Sequence, residues 1–133
     1  MNASDVLINE HCVIKRILGC LTAATNQAKA GEKLDGDSFR RMVEFFQQFA
    51  DRCHHGKEEA RLFPLLRQRG VGCGPGSISI LLDEHEQGRA HVRAMADSRH
   101  SGPLLVDRPL LDTRSWKLSV MPAAHLILQQ PWR

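Results

Sequence analysis

At 133 residues, with a formal charge of +3 and ordinary apolar and charged fractions, the chain is sized for one domain with a single hydrophobic core. No run approaches the roughly 20 apolar residues of a membrane helix, and Lys and Arg alternate with acids instead of clustering, so neither a membrane nor a nucleic-acid partner is supported. The N-terminal Met-Asn-Ala-Ser-Asp lacks the basic and apolar regions of an export signal, and Cys12, Cys20, Cys53 and Cys73 form no C-x-x-C pair. The expectation is a cytoplasmic protein with reduced, mostly buried thiols.

Three long amphipathic helices are predicted. The first opens at Ser4 as N-cap with Asp5 in its first turn, and Leu7, His11, Ile14, Leu18, Leu21 and Thr25 recur on one face. It ends near Gly31. The second starts at Asp37 or Ser38 and runs to about Arg69, with Met42, Phe45, Phe49, Phe63 and Leu66 on one side. Pro64 inside it removes a backbone hydrogen bond and should kink it. Glycines between 70 and 76 mark a turn, and the third helix runs from Ser77 or Ser79 to about Ser98, with the stripe Ile78, Leu81, His85, Gly88, Val92 and Met95. After about residue 100, Pro103, Pro109, Pro122 and Pro131 break the pattern. Leu110 to Met121 is the one stretch there suited to a short helix. The chain thus divides into a three-helix region, 1–100, and an irregular segment, 101–133, that replaces or covers a fourth-helix face. The abrupt change suggests an altered coding region beyond residue 100.

His11 and His85 stand where their stripes otherwise demand apolar residues. Each alone is most simply a core histidine. Cys-His-His-Gly-Lys-Glu-Glu, residues 53–59, adds two His-x-x-x-Glu pairs, and an i, i+4 spacing puts an imidazole and a carboxylate on one helix face. At about 100° per residue, the phenylalanine stripe selects His55 and Glu59 and turns His54 and Glu58 towards solvent or a supporting role. Counting from the turn near residues 31–36 puts His11 level with residue 55 or 56, and His85 falls within about two turns of the same height. His11, His55, Glu59 and His85 therefore read as one metal site.

These residues resemble the hemerythrin-like (HHE cation-binding) family. The matching motifs are Glu-His-x-x-Ile at 10–14, His-His-x-Lys-Glu-Glu-x-x-Leu-Phe-Pro at 54–64, and Asp-Glu-His-Glu at 83–86, in family order. The resemblance spans roughly residues 4–98 and implies an all-α, antiparallel up-down four-helix bundle with an irregular fourth helix. It also implies non-haem iron, as a di-iron or single-iron centre, with zinc or manganese as other metals. Family members bind oxygen, store or sense iron, or respond to oxygen, nitric oxide or peroxide. Arg89 stands where oxygen carriers place another histidine. Because it cannot ligate a metal, it is expected to pair with a carboxylate such as Glu59.

In the fourth-helix motif, His125 matches a ligand remnant, but Gln129 and Gln130 stand where a carboxylate is wanted. The expected role is binding or sensing of oxygen, nitric oxide or a redox signal at the metal. The alternatives are a peroxide- or nitric-oxide-processing enzyme and a metal-free helical interaction domain. A homodimer through the deficient fourth face is a further expectation. Whether the protein is an enzyme stays open at this point.

Overall fold

The computed structural model describes residues 2–71 and 77–98, and every regular element among them is helical. Helix α1 (Ala3–Lys29) opens on a reciprocal capping box. Asn2 accepts from the Asp5 N–H and Asp5 accepts from the Asn2 N–H, each at 2.9 Å. The cap lies two residues before the expected Ser4, because Asn2 and Asp5 satisfy each other's backbone donors and Ser4 has no such partner. The buried face of α1 is Leu7, His11, Ile14, Leu18, Leu21 and Thr25, the stripe read from the sequence. Gly31, at a φ of +84°, ends the helix in a conformation that suits glycine.

The second rod begins as α2 (Gly36–Phe45), capped by the Asp35 carboxylate on the N–H groups of Asp37 and Ser38. It continues through two π-helical segments, Phe46–His55 and Glu58–Leu62, and finishes as α3 (Phe63–Gln68). At the end of the second segment the Phe63 N–H bonds the Glu58 carbonyl, five residues back. Pro64 follows in the first turn of α3, where a missing N–H is best tolerated. The disturbance expected at Pro64 thus takes the form of a widened turn just ahead of it. On this rod Phe39, Val43, Phe46 and Ala50 are buried, whereas Met42, Phe45 and Phe49 are only partly so. Over 42–50 the stripe is displaced by one residue from the sequence expectation, whereas Phe63 and Leu66 are buried as expected.

Helix α4 (Ile78–Ser98) buries Ile78, Leu81, His85, Gly88, Val92 and Met95, as its periodicity predicts. His11 meets His54, while Leu18 and Leu21 share a cluster with Phe39 and Val43, so α1 and the second rod are antiparallel. His85 meets Glu58 and Glu59 while Arg89 meets Asp51, so α4 also runs against the rod. The all-α up-down bundle expected from sequence is what the described residues form.

The apolar core is split. One cluster joins Ile14, Leu18, Leu21, Phe39, Val43, Phe46, Ala50, Val92 and Met95. The other joins Phe63, Leu66, Ile78 and Leu81. In sequence along every rod, the histidines and Glu58 fall between or beside these clusters. Among the described residues, no helix is long and apolar enough to cross a membrane.

The expectation of mostly buried thiols is corrected. Cys12, Cys20 and Cys53 are exposed and free, because each sits off the buried stripe of its helix. Cys73, His125, the Leu110–Met121 stretch and the whole 101–133 segment lie outside the described residues.

Leu18→Ala, at a position 2% exposed, is expected to lower unfolding free energy by about 2–5 kcal/mol. Leu65→Ala, at a position 53% exposed, is expected to change it by under about 0.5 kcal/mol. Urea denaturation of both variants checks the assignment of core and surface.

Candidate metal centre

The centre is assembled from one residue on α1, one on α4 and a run of adjacent residues on the widened rod. His11, His54 and Glu58 are 3%, 0% and 1% exposed, although all three are polar. Burying such groups is costly unless each is paired. The Nε2 atoms of His11 and His54 lie 2.8 Å apart. Glu58 Oε1 is 3.7 Å from His11 Nε2 and 3.5 Å from His54 Nε2. The other oxygen, Oε2, lies 3.3 Å from His85 Nε2. The His55 and His85 rings stack with centroids 3.8 Å apart, and the Phe63 and His85 ring centroids are 5.7 Å apart.

Two trios of donor atoms result, His11–His54–Glu58 and His55–Glu58–His85, each with its atoms within 4.8 Å of one another. Donors held about 2.0–2.2 Å from one ion lie roughly 2.8–3.6 Å from each other, close to the separations around the first trio. Glu58 Oε1, fully buried, accepts no hydrogen bond. A carboxylate oxygen left without a donor among imidazole nitrogens is an expensive arrangement for a protein alone and a natural one around a cation. The donor set therefore fits a metal ion.

Groups behind the histidines fix their orientation. His54 Nδ1 lies 2.9 Å from Glu10 Oε2, and Lys57 ion-pairs with the same carboxylate. An ionised carboxylate only accepts, so the His54 proton is on Nδ1 and its Nε2 lone pair faces His11 and Glu58. Burial works against ionised Glu10, but hydrogen bonds from Lys57 and His54 outweigh it and lower its pKa. The second arrangement has the same form. His85 Nδ1 is 2.7 Å from Glu59 Oε1, and Arg89 Nη2 donates to that oxygen at 2.6 Å.

Burial disfavours the charged form of Glu59 too, yet His85 and Arg89 hold its pKa below the ordinary value. For His85, burial opposes the imidazolium, while hydrogen bonds to Glu58 and Glu59 prevail and raise its pKa. His55 behaves oppositely. Burial, followed by repulsion from His85, His54 and Arg89, depresses it to about 2, so it is a neutral imidazole with a lone pair to offer.

A cavity of about 330 Å³ adjoins this side of the centre. Ile14, Phe46, Ala50 and Val92 form apolar wall, and His55 and Arg89 also line it. Gly88, on the buried stripe of α4, is among its lining residues.

Residues 2–116 match the hemerythrin HHE cation-binding domain. The chain belongs to that family. No curated protein and no solved structure matches it. The cation-binding domain defined by the match covers all three motif-bearing helices, and among the described residues the two trios are groups of donors that could hold a metal.

Of the residues singled out in the sequence, His11, His55 and His85 enter the trios, and Glu59 does not. Its side chain is 29% exposed and lies behind His85, in contact with Arg89 as expected. His125 lies outside the described residues. Of the two expectations for His54 and Glu58, solvent or a supporting role, the first is corrected by their burial. The physical cause is the π-helical turn. Counting back from Phe63 by an α-helical four residues gives Glu59, whereas the wider turn places Glu58, five back, on the buried side. The available signal was Pro64 itself, which made a regular ladder over 58–64 improbable on first principles.

Glu10→Gln keeps the side chain's shape but weakens the acceptor behind His54. It is expected to reduce metal affinity about 10–100-fold with an unchanged helical circular dichroism spectrum. Calorimetric titration of the metal-free protein with zinc checks this.

Proposed function

We propose that this hemerythrin-family chain is a non-haem iron protein that binds a small redox or gas ligand, dioxygen, nitric oxide or peroxide, at a centre bridged by Glu58. The observation that carries this reading is a buried carboxylate, that of Glu58, whose two oxygens face different histidines. A bundle interior supplied with inward imidazoles and a shared carboxylate suits dinuclear metal binding. Imidazole and carboxylate donors accept iron, zinc or manganese. Iron is favoured here because the proposed ligands require a metal that changes oxidation state, and bound iron would supply that redox and Lewis-acid chemistry.

The remaining work belongs to the chain's own side chains. His54 and His85 are turned by Glu10 and Glu59 so that each presents Nε2 to the Glu58 side. His55 stays neutral and so keeps its lone pair. The cavity beside His55, with apolar wall from Ile14, Phe46, Ala50 and Val92 and polar wall from Gln47, Asp51, Arg52 and Arg93, gives a small ligand room next to the centre. Ligand binding or sensing, in a cytoplasmic setting, is the role this arrangement supports best.

Anaerobic loading of the metal-free protein with ferrous iron is expected to give about one to two irons per chain, new visible absorption on adding nitric oxide, and a raised melting temperature. Glu58→Ala is expected to lose all three. Elemental analysis, optical spectra and thermal melts provide the readouts. Absence of stoichiometric iron, with a melting temperature indifferent to metal, would sink the proposal in favour of a metal-free interaction domain. Catalytic turnover of peroxide or nitric oxide would move the assignment to an enzyme.

A further inference from the structure

Two relays of the same form approach the centre, imidazole to carboxylate to cation. One is His54–Glu10–Lys57 and the other His85–Glu59–Arg89. They differ at the cation. The Lys57 side chain is 41% exposed, and its ion pair is with Glu10. Arg89 is 21% exposed and uses its whole fork: Nη2 on Glu59 at 2.6 Å, Nε on Asp51 at 2.7 Å and Nη1 on Glu86 at 2.6 Å. Glu59 is the carboxylate against His85, and Asp51 Oδ1 lies 3.4 Å from His55 Nδ1. One guanidinium therefore grips the carboxylates next to both imidazoles of the second trio. Beside the first trio, Lys57 grips a single carboxylate, that of Glu10.

We propose that Arg89 makes the two metal positions unequal, so that His11–His54–Glu58 fills first and tightly while His55–Glu58–His85 fills second and weakly. The inference rests on the reading of the centre as metal-binding. Three effects act together. The permanently charged guanidinium neutralises part of the negative charge that Glu59 and Asp51 would otherwise offer a dication at the second position. Its hydrogen bonds engage the very oxygens with which Glu59 and Asp51 approach His85 and His55, which ties up the nearer donor oxygen of each acid. Glu58, the carboxylate common to both trios, gives up part of its charge to whichever ion arrives first. Arg89 is thus a positioning and selectivity residue, acting through Glu59 and Asp51.

Cobalt(II) is a suitable probe, because its visible absorption reports coordination without any turnover. Anaerobic titration of the metal-free full chain, followed by absorption and calorimetry, is expected to show two steps. His54→Ala should remove the tight step, and His55→Ala should remove only the weak one. Arg89→Met should tighten the second step by about tenfold or more, on the scale of other changes behind metal ligands, and leave the first nearly unmoved. Arg89→Lys, which retains the charge, should keep the steps separated. Arg89→Gln serves in the same way as Arg89→Met if the latter loses its helical circular dichroism. Two equal steps in the wild type, or a second step that is unmoved or weaker in the neutral Arg89 variants, overturn this inference and leave the metal-binding reading standing. No cobalt uptake at all overturns both.

Discussion

A carboxylate buried among imidazoles is the constraint on which the rest of this bundle turns. Glu58 is 1% exposed and one of its oxygens receives no hydrogen bond. In a medium of low polarity that is a debt of several kcal/mol unless positive charge is supplied. The three rods meet the demand by bringing an imidazole from α1, two from the widened rod and one from α4 to the same height. The apolar packing is arranged around that polar layer, with one cluster towards the turn joining α1 to α2 and a smaller one around Phe63 and Ile78. Stability and function are therefore in partial opposition here, as is common where a site is built into a core.

The layer is held rigid from outside. Each of His54 and His85 is backed by a carboxylate, and each carboxylate by a cation. These relays set ring orientation and the position of the imidazole proton, which a bare cluster of histidines would leave free to vary. They also bring formal charges close to the interior without leaving any acid in them unpaired. Arg89 goes further than Lys57, since its fork spans three acids on two elements and links α4 to the rod. The chemistry of the centre and the docking of α4 share this residue.

Much of this was legible in the sequence. The buried faces of α1 and α4 follow a regular period of three and four residues, so His11 and His85 could be placed on the inner face without a structure. Depth matching also came within two residues, since His11 meets His54. The failure lay in the second rod. There a fixed angular step was carried through a stretch that does not have it, and a phenylalanine-rich run was centred on Phe45 and Phe49 when Phe46 and Ala50 are the buried positions. Bulk made Phe45 and Phe49 look like core, although a partly exposed aromatic can still pack well over a groove. Glu10 was equally hard to assign, because its partner lies 44 residues away on another rod. The arginine pairing was easier, since a permanent charge beside a metal-binding motif requires an acid.

The widened turn has a consequence for how the donor set is specified. Residues 54–59 carry both His54 with Glu58 and His55 with Glu59, so the chain encodes two carboxylates that differ in register by one position. Which of them faces inward depends on local winding, and the five-residue hydrogen bond from Phe63 to Glu58 sets that winding. Rewinding this segment to a regular four-residue repeat would rotate the adjacent glutamate towards the interior without altering a single side chain. Which of the two acids is buried is therefore a property of backbone pitch as much as of sequence. Pro64, one residue beyond Phe63, becomes part of the instruction that selects it.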